Sequence, residues 1–391
     1  MAQQRRNMST DLGMPAASRE DFEEGRDRKA IAEVMAGLYW DPEANDGQGA
    51  RISTHSMLKT FRRCPKQAEF KYVHRLKPRV LGSPLKRGTW VHQLLEVHHQ
   101  GQDWRPLHAK LSAQFAQLFD EEKDYYGDMP TEIKVIMESY EWHYAADPWK
   151  VLETEFQIET EFPDGTIYRG KVDALIENQF GLWVVDHKTH KTLPDHSFRL
   201  LDAQSALYLW ACLRNKIPVQ GFIWNYVRWK APSIPQIVDR NRRLSKSACD
   251  TDYPTMYRTL KKYKAEYPTF TISDDDRAKL RRLKAQRYEF GRPQESSFFR
   301  RDTLEKSRGM LRRVALENYV TSLRMHGYDF SNPDRVERVV ERGCTFSCSY
   351  TDICSAELKG ANLKPLIKQN YTTGDPNSYY NDKAGDVPEK E

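Results

Sequence analysis

Two aspartates and a lysine, separated by a short turn, are the residues of this 391-residue chain with the plainest capacity for chemistry. Asp173 closes the run Gly170 to Asp173, and Asp186 and Lys188 end the strand-like run Leu182 to Lys188. Between them Asn178 to Gly181 (Asn-Gln-Phe-Gly) has the composition of a tight turn. With Asn178 facing Gly181, antiparallel pairing counted back equally on both sides sets Asp173 opposite Asp186, with Cβ atoms about 4.5 to 5.5 Å apart. Directly opposed like charges destabilise a sheet, so this pairing predicts a compensating cation. Lys188, two residues beyond Asp186 and on the same strand face, can neutralise one carboxylate. Mg²⁺ or Mn²⁺ can neutralise both, because paired carboxylates are the hard oxygen donors such ions accept. Such a site suits phosphoryl chemistry, with a metal-activated water and a lysine that orients it or meets charge developing on the phosphate.

The cysteines form a second constellation. Cys344, Cys348 and Cys354 cluster near the C-terminal end, and Cys64 lies far upstream beside Pro65. Four thiolates are enough for a [4Fe-4S] cluster or a tetrahedral zinc. Cys212, inside an apolar run, reads as core, and Cys249 lies in a polar loop. From Arg277 to Arg313 thirteen Lys or Arg stand against four acids, which makes either a solvated helical face or a channel for phosphates. Tyr288, Phe298 and Phe299 in that stretch can stack on bases or anchor the segment to the core.

These groups must be carried by a folded unit. The chain is 39% hydrophobic and 30% charged with a net charge of +6, and it has neither an apolar run of membrane-spanning length nor a hydrophobic N-terminal signal segment. The expectation is a soluble cytoplasmic protein in which clustered cysteines bind metal rather than form disulfides. Residues 1–50 read as a flexible region with one short helix over Asp27 to Leu38, 51–365 as the folded domain, and 366–391 as a disordered tail. Helical periodicity marks Ser56 onward with a break at Cys64-Pro65, then Gly88 to Gly101, Leu107 to Tyr126 and Thr131 to Ala146. From Val151 the period becomes two, giving a strand, the strand of Asp173, and the strand of Asp186. A helix from Asp202 and a strand from Gln220 follow, and the remainder to residue 342 reads as mostly helical. The order predicts an α/β fold with a mixed sheet flanked by helices. No Gly-x-x-x-x-Gly-Lys-Ser/Thr loop is present, so no nucleotide-driven motor is expected.

Gly-Lys-Val-Asp-Ala-Leu-Ile-Glu followed by Val-Val-Asp-His-Lys-Thr resembles the core signature of the PD-(D/E)XK nucleases, in particular the RecB-like exonuclease branch. Gly88 to Glu96 resembles that branch's upstream histidine helix, which implies His92 as a further metal ligand, and His187 is counted with it. Asp202 to Ala211 resembles its downstream Gln-x-x-x-Tyr helix, which implies catalytic roles for Gln204 and Tyr208 beside Asp173, Asp186 and Lys188. Ile52 to Val73 resembles its opening Cys-Pro helix. Iron-sulfur members of the branch join one N-terminal cysteine to three C-terminal ones, which implies that Cys64, Cys344, Cys348 and Cys354 hold a [4Fe-4S] cluster, with zinc as the alternative. The resemblance implies a Mg²⁺- or Mn²⁺-dependent deoxyribonuclease, an exonuclease on single-stranded or end-processed DNA in recombination or repair, with a separate helicase or recombination protein as possible partner. Two alternatives stand beside it: a structure-specific endonuclease, and a non-catalytic DNA-binding protein that keeps the fold. Glu153 and Glu155, in the preceding strand, are additional acids that can assist the site.

Overall fold

The computed structural model describes residues 51–376, apart from 196–198, 239–242 and 246–248. The N-terminal region 1–50, with its expected helix, and the last part of the expected tail lie outside the described residues. In chain order the strands are β1 (Ile52–Thr54), β2 (Leu76–Pro78), β3 (Lys150–Glu161), β4 (Ile167–Asn178), β5 (Gly181–His190), β6 (Val219–Arg228), the small hairpin β7 (Ile237–Val238) and β8 (Arg243–Leu244), β9 (Phe299–Leu304) and β10 (Tyr371–Thr373). The main sheet runs β1-β4-β5-β6-β9, and β3 covers the other edge of β4. Parallel β1–β4 and β5–β6 pairs alternate with antiparallel β3–β4, β4–β5 and β6–β9 pairs, so the sheet is mixed as expected.

Each face of the sheet is covered by helices whose apolar stripes match it. Ala203–Arg214 and Arg308–His326 lay Leu207, Trp210, Leu311 and Tyr319 on Val184, Phe222 and Trp224. Ser83–His99 and Met129–His143 lay Trp90, Leu94, Ile133 and Tyr140 on the opposite side with Val227 and Phe299. Burying each such side chain stabilises the fold by about 1.5–3 kcal/mol relative to leaving it exposed. A third apolar cluster, Phe70, Leu76, Tyr350, Ile353 and Tyr371, ties the two ends of the folded region together. Beside it the buried Lys66 ammonium bridges Glu69 at 2.7 Å and Glu357 at 2.9 Å.

The turn sets the β4–β5 register as the sequence predicts, from Asn178↔Gly181 to Ala174↔Val185. There the ladder stops, one pair before Asp173 and Asp186. β5 continues beside β6 as far as His190↔Arg228, whereas the far end of β4 pairs with β1 at Ile167 to Arg169. Since β3 occupies one edge of β4 along its length, β1 and β5 share the other edge and leave Gly170 to Asp173 between them. The sheet therefore opens where the two carboxylates would otherwise be forced together.

Three expectations are corrected. Phe299–Leu304 is a strand, not part of a helical region; its Arg300, Arg301 and Asp302 hide it from periodicity, and edge strands tolerate such charge. The helix expected over Leu107 to Tyr126 is two, Arg105–Ala116 and Asp120–Tyr126. The tail is ordered further than expected. Lys364–Asn370 is helical, and β10 pairs with β2 while Tyr371 stacks on Tyr350 at 5.7 Å. Among the described residues no helix is long and apolar enough to cross a membrane.

Candidate active site

Two glycines bring the helices onto the opened strands. A Cβ on Gly170 would lie 2.7 Å from Cε1 of Tyr208, so the glycine of the Gly-Lys-Val-Asp run makes room for the tyrosine of the Gln-x-x-x-Tyr helix. A Cβ on Gly88 would meet Oγ1 of Thr189 at 3.0 Å, so that glycine lets the His92 helix approach the end of β5. Asp202 caps the Gln204 helix by accepting from the Ser205 amide at 3.0 Å. The spacing of four between Gln204 and Tyr208 places both on one helical face, where Gln204 Nε2 reaches the Tyr208 hydroxyl at 3.2 Å.

The same Gln204 nitrogen donates to Asp186 Oδ1 at 3.0 Å, and Lys188 Nζ lies 2.5 Å from Asp186 Oδ2. Asp173 is held differently. Its Oδ2 accepts the backbone N–H of His187 at 2.5 Å, and its Oδ1 lies 3.3 Å from Nδ1 of His92. Both aspartates are buried, whereas His92 and Lys188 remain partly open to solvent. Burial alone would raise the Asp173 carboxyl, but the charge and hydrogen bond of His92, with His187 and Lys188 beyond, hold it below the usual carboxylate range. Asp186 moves the other way: burial, helped by the Asp173 charge and opposed by Lys188, pushes it up to about 6. Burial works against a charged His92, yet Asp173 outweighs it and raises the imidazole. The pair is thus split into a carboxylate held ionised and one poised to take a proton.

His187 presents its backbone, not its ring, to Asp173. Strand alternation turns the ring to the other face, where it stacks on His99 at 5.2 Å and meets Asn225 at 2.7 Å. Glu155 lies opposite Asp173 across β3, between the pairs Thr154↔Ala174 and Phe156↔Val172. It has a left-handed backbone (φ 52°) and ion-pairs with buried Lys171 at 2.5 Å. Burial and then the Asp173 charge raise its carboxyl. Glu153 is exposed. His55, not foreseen as a site residue, stands near Asp202 and Lys188, and burial lowers its imidazole to about 4.

The cysteines converge in the corner where the ends of the fold meet. Cys348 and Cys354 pack on the Phe70–Tyr350 cluster. Cys64 and Cys348 both stand close enough to Cys354 to add to the upward shift that burial gives its thiol. Cys344 Sγ accepts the Glu341 amide at 3.4 Å, and Glu341 pairs with Arg63, the neighbour of Cys64, at 2.9 Å. All six cysteines are free thiols. The basic stretch divides. Phe298 and Phe299 are core, and Arg301 is buried between Tyr144 and Trp149, so these residues anchor the segment and do not stack on bases. Arg281, Arg282 and Arg313 are exposed.

Two carboxylates beside a lysine and a histidine are a donor set that suits a hard divalent cation, and four thiols in one corner suit a thiolate-bound centre. Among the described residues, no three or more His, Cys, Asp or Glu side chains are already gathered as a ligand cage. At the acid pair the reason is visible: Asp173 is turned to His92 and the His187 amide, Asp186 to Lys188 and Gln204.

No curated protein matches the chain. A crystal structure from Eubacterium rectale bearing the name "Putative exonuclease" is 15% identical, covers 65% of this chain and 89% of its own, and has a TM-score of 0.35. That of a protein named SSO0001 is 12% identical over 62% of this chain and 84% of its own, with a TM-score of 0.22. A family model described as the PD-(D/E)XK nuclease superfamily matches residues 53–355. That match takes in the opened hairpin, both flanking helices and all four clustered cysteines, and the chain belongs to the PD-(D/E)XK nuclease superfamily.

Proposed function

We propose that this nuclease is a Mg²⁺- or Mn²⁺-dependent deoxyribonuclease of the RecB-like branch that degrades DNA from its ends. The observation that carries the reading is the opening of the β4–β5 ladder at Asp173 and Asp186, with Lys188 and Gln204 already seated on Asp186. Asp173, Asp186 and His92 hold the cation, which supplies Lewis-acid activation of a water and a phosphoryl oxygen. Lys188 Nζ orients the attacking water and meets the charge that builds on the phosphate as the phosphorus–oxygen bond to the leaving group breaks. Gln204 keeps Asp186 Oδ1 in place, and Tyr208 keeps Gln204 in place. The protein works on single-stranded or end-bearing DNA, and a separate helicase or recombination protein supplies any unwinding.

Cys64, Cys344, Cys348 and Cys354 hold a [4Fe-4S] cluster that clasps the ends of the fold, with zinc as the alternative occupant. The proximity of Cys64 to Cys354, across most of the folded chain, supports that reading. End-labelled linear and closed circular single-stranded DNA, incubated with the protein and Mn²⁺, test the activity. Loss of the linear substrate with the circle intact is expected. Nicking of the circle makes the protein an endonuclease, and no cleavage of either refutes the proposal.

A further inference from the structure

On the face of the sheet away from Lys188, three residues in direct cross-strand register form a buried polar row: His187 pairs with Asn225, and Asn225 with Arg301. All three are buried among Tyr140, Tyr144, Trp149 and His99. Arg301 has only donors, and this orders the whole row. Its Nε lies 3.3 Å from Oδ1 of Asn225, its Nη1 2.7 Å from Asp147, and its Nη2 3.3 Å from the Tyr140 hydroxyl. The amide of Asn225 must therefore present oxygen to Arg301 and nitrogen to the other side. That nitrogen donates to the Tyr140 hydroxyl at 2.9 Å and to Nδ1 of His187 at 2.7 Å. His187 Nδ1 is thereby an acceptor, and the ring is neutral. The Tyr140 hydroxyl, receiving two donors, gives its own proton to His99 Nε2 at 3.2 Å.

From Arg301 through Asn225 to His187 the row is joined by hydrogen bonds, and it ends at the active site. With the β4–β5 ladder finished at Ala174↔Val185, the amide of His187 goes to the Asp173 carboxylate. We infer that Asn225 is a positioning residue of the nuclease site: through the His187 ring it fixes the amide that aims Asp173, and Arg301 and Tyr140 fix Asn225. This rests on the reading of Asp173 as a cation ligand. Outer partners that orient a ligand commonly contribute 10–100-fold to metal affinity or activity.

The test is Mn²⁺ binding to DNA-free protein by titration calorimetry, with folding checked by circular dichroism. Asn225→Leu should bind Mn²⁺ about tenfold more weakly than wild type, in the lower part of that range. Tyr140→Phe removes only the hydroxyl on which Asn225, Arg301 and His99 converge, and it should weaken binding in the same direction, by less than removal of Asn225 itself. A folded Asn225→Leu protein with wild-type Mn²⁺ affinity overturns the inference. If that variant does not fold, wild-type affinity in Tyr140→Phe overturns it. Asp173→Ala separates the two readings, since undiminished Mn²⁺ binding there contradicts the nuclease site itself rather than the role of Asn225.

Discussion

Replacing Gly170 with alanine would test whether the motif glycine and the motif tyrosine are one packing unit. The added methyl carbon would lie 2.7 Å from Cε1 and 2.9 Å from Cδ1 of Tyr208, well inside the roughly 3.5–4.0 Å of ordinary carbon contact. The conflict is steric, because Gly170 does not need a left-handed backbone. Tyr208 has little room to yield. It is buried, stacked parallel to Phe222 at 6.3 Å, and bonded through its hydroxyl to Gln204. Overpacking a core of this kind costs about 1–3 kcal/mol, so Gly170→Ala should lose about 2 kcal/mol in urea denaturation. Because a displaced Tyr208 moves Gln204 off Asp186, turnover should fall as well, at temperatures where the variant is still folded. In a Tyr208→Ala background the same methyl should cost almost nothing, since its partner is gone. A Gly170→Ala cost that is unchanged by removing the ring would refute the packing argument.

Asp186→Asn should stabilise the cation-free protein at pH 8. The wild-type carboxyl sits at about 6 when folded against an ordinary 3.8, so it binds its proton more tightly in the native state, and its penalty fades as pH falls through 6. Thermal melts in EDTA should show the full advantage at pH 8, a smaller one at pH 5 and none below about pH 3.8, where the carboxyl is protonated in both states; a variant that melts lower than wild type at pH 8 contradicts the electrostatics. Neutralising Arg281, Arg282, Arg312 and Arg313 together should weaken DNA binding and flatten its salt dependence by about 0.7–0.9 in log–log slope for each phosphate no longer neutralised. An unchanged slope would assign them to a solvated face. Cys64→Ser and Cys348→Ser should lose bound metal and visible absorption to the same extent in anaerobically purified protein, and full metal content in Cys64→Ser would exclude a shared centre.

What could be read in advance follows from which interactions are local. The Asn178–Gly181 turn sets the hairpin register over short range, so the pairing as far as Ala174 and Val185 was legible from residue counting, one pair short of the expected facing of Asp173 and Asp186. The helices carrying His92 and Gln204 were legible because their apolar stripes repeat with the helical period. The departure of β5 from β4 was not, since it depends on β1 taking the rest of that edge, from more than a hundred residues upstream. Nor was β9: its Arg301 looks like a surface charge until Asp147, Tyr144 and Trp149 surround it. The polar row left one trace, Asn225 in the middle of the apolar run Phe222 to Val227, which reads as a defect until the partners on both sides are known. Glu155 shows the limit from another side. Opposite its left-handed backbone, Val172 faces the Ala203–Arg214 helix while Ala174 packs with Trp183 and Val185, a change of pleat that strict alternation does not predict.

The central claim is that Asp173, Asp186 and Lys188 together hydrolyse DNA with a divalent cation. It is tested most directly by comparing wild type, Asp186→Ala and Lys188→Ala on end-labelled linear single-stranded DNA, with Mn²⁺ and with EDTA, alongside Mn²⁺ titration of each protein. Wild type should cleave only with Mn²⁺, Asp186→Ala should lose both cleavage and cation affinity, and Lys188→Ala should keep cation binding but lose rate. Cleavage by Asp186→Ala at the wild-type rate would contradict the account.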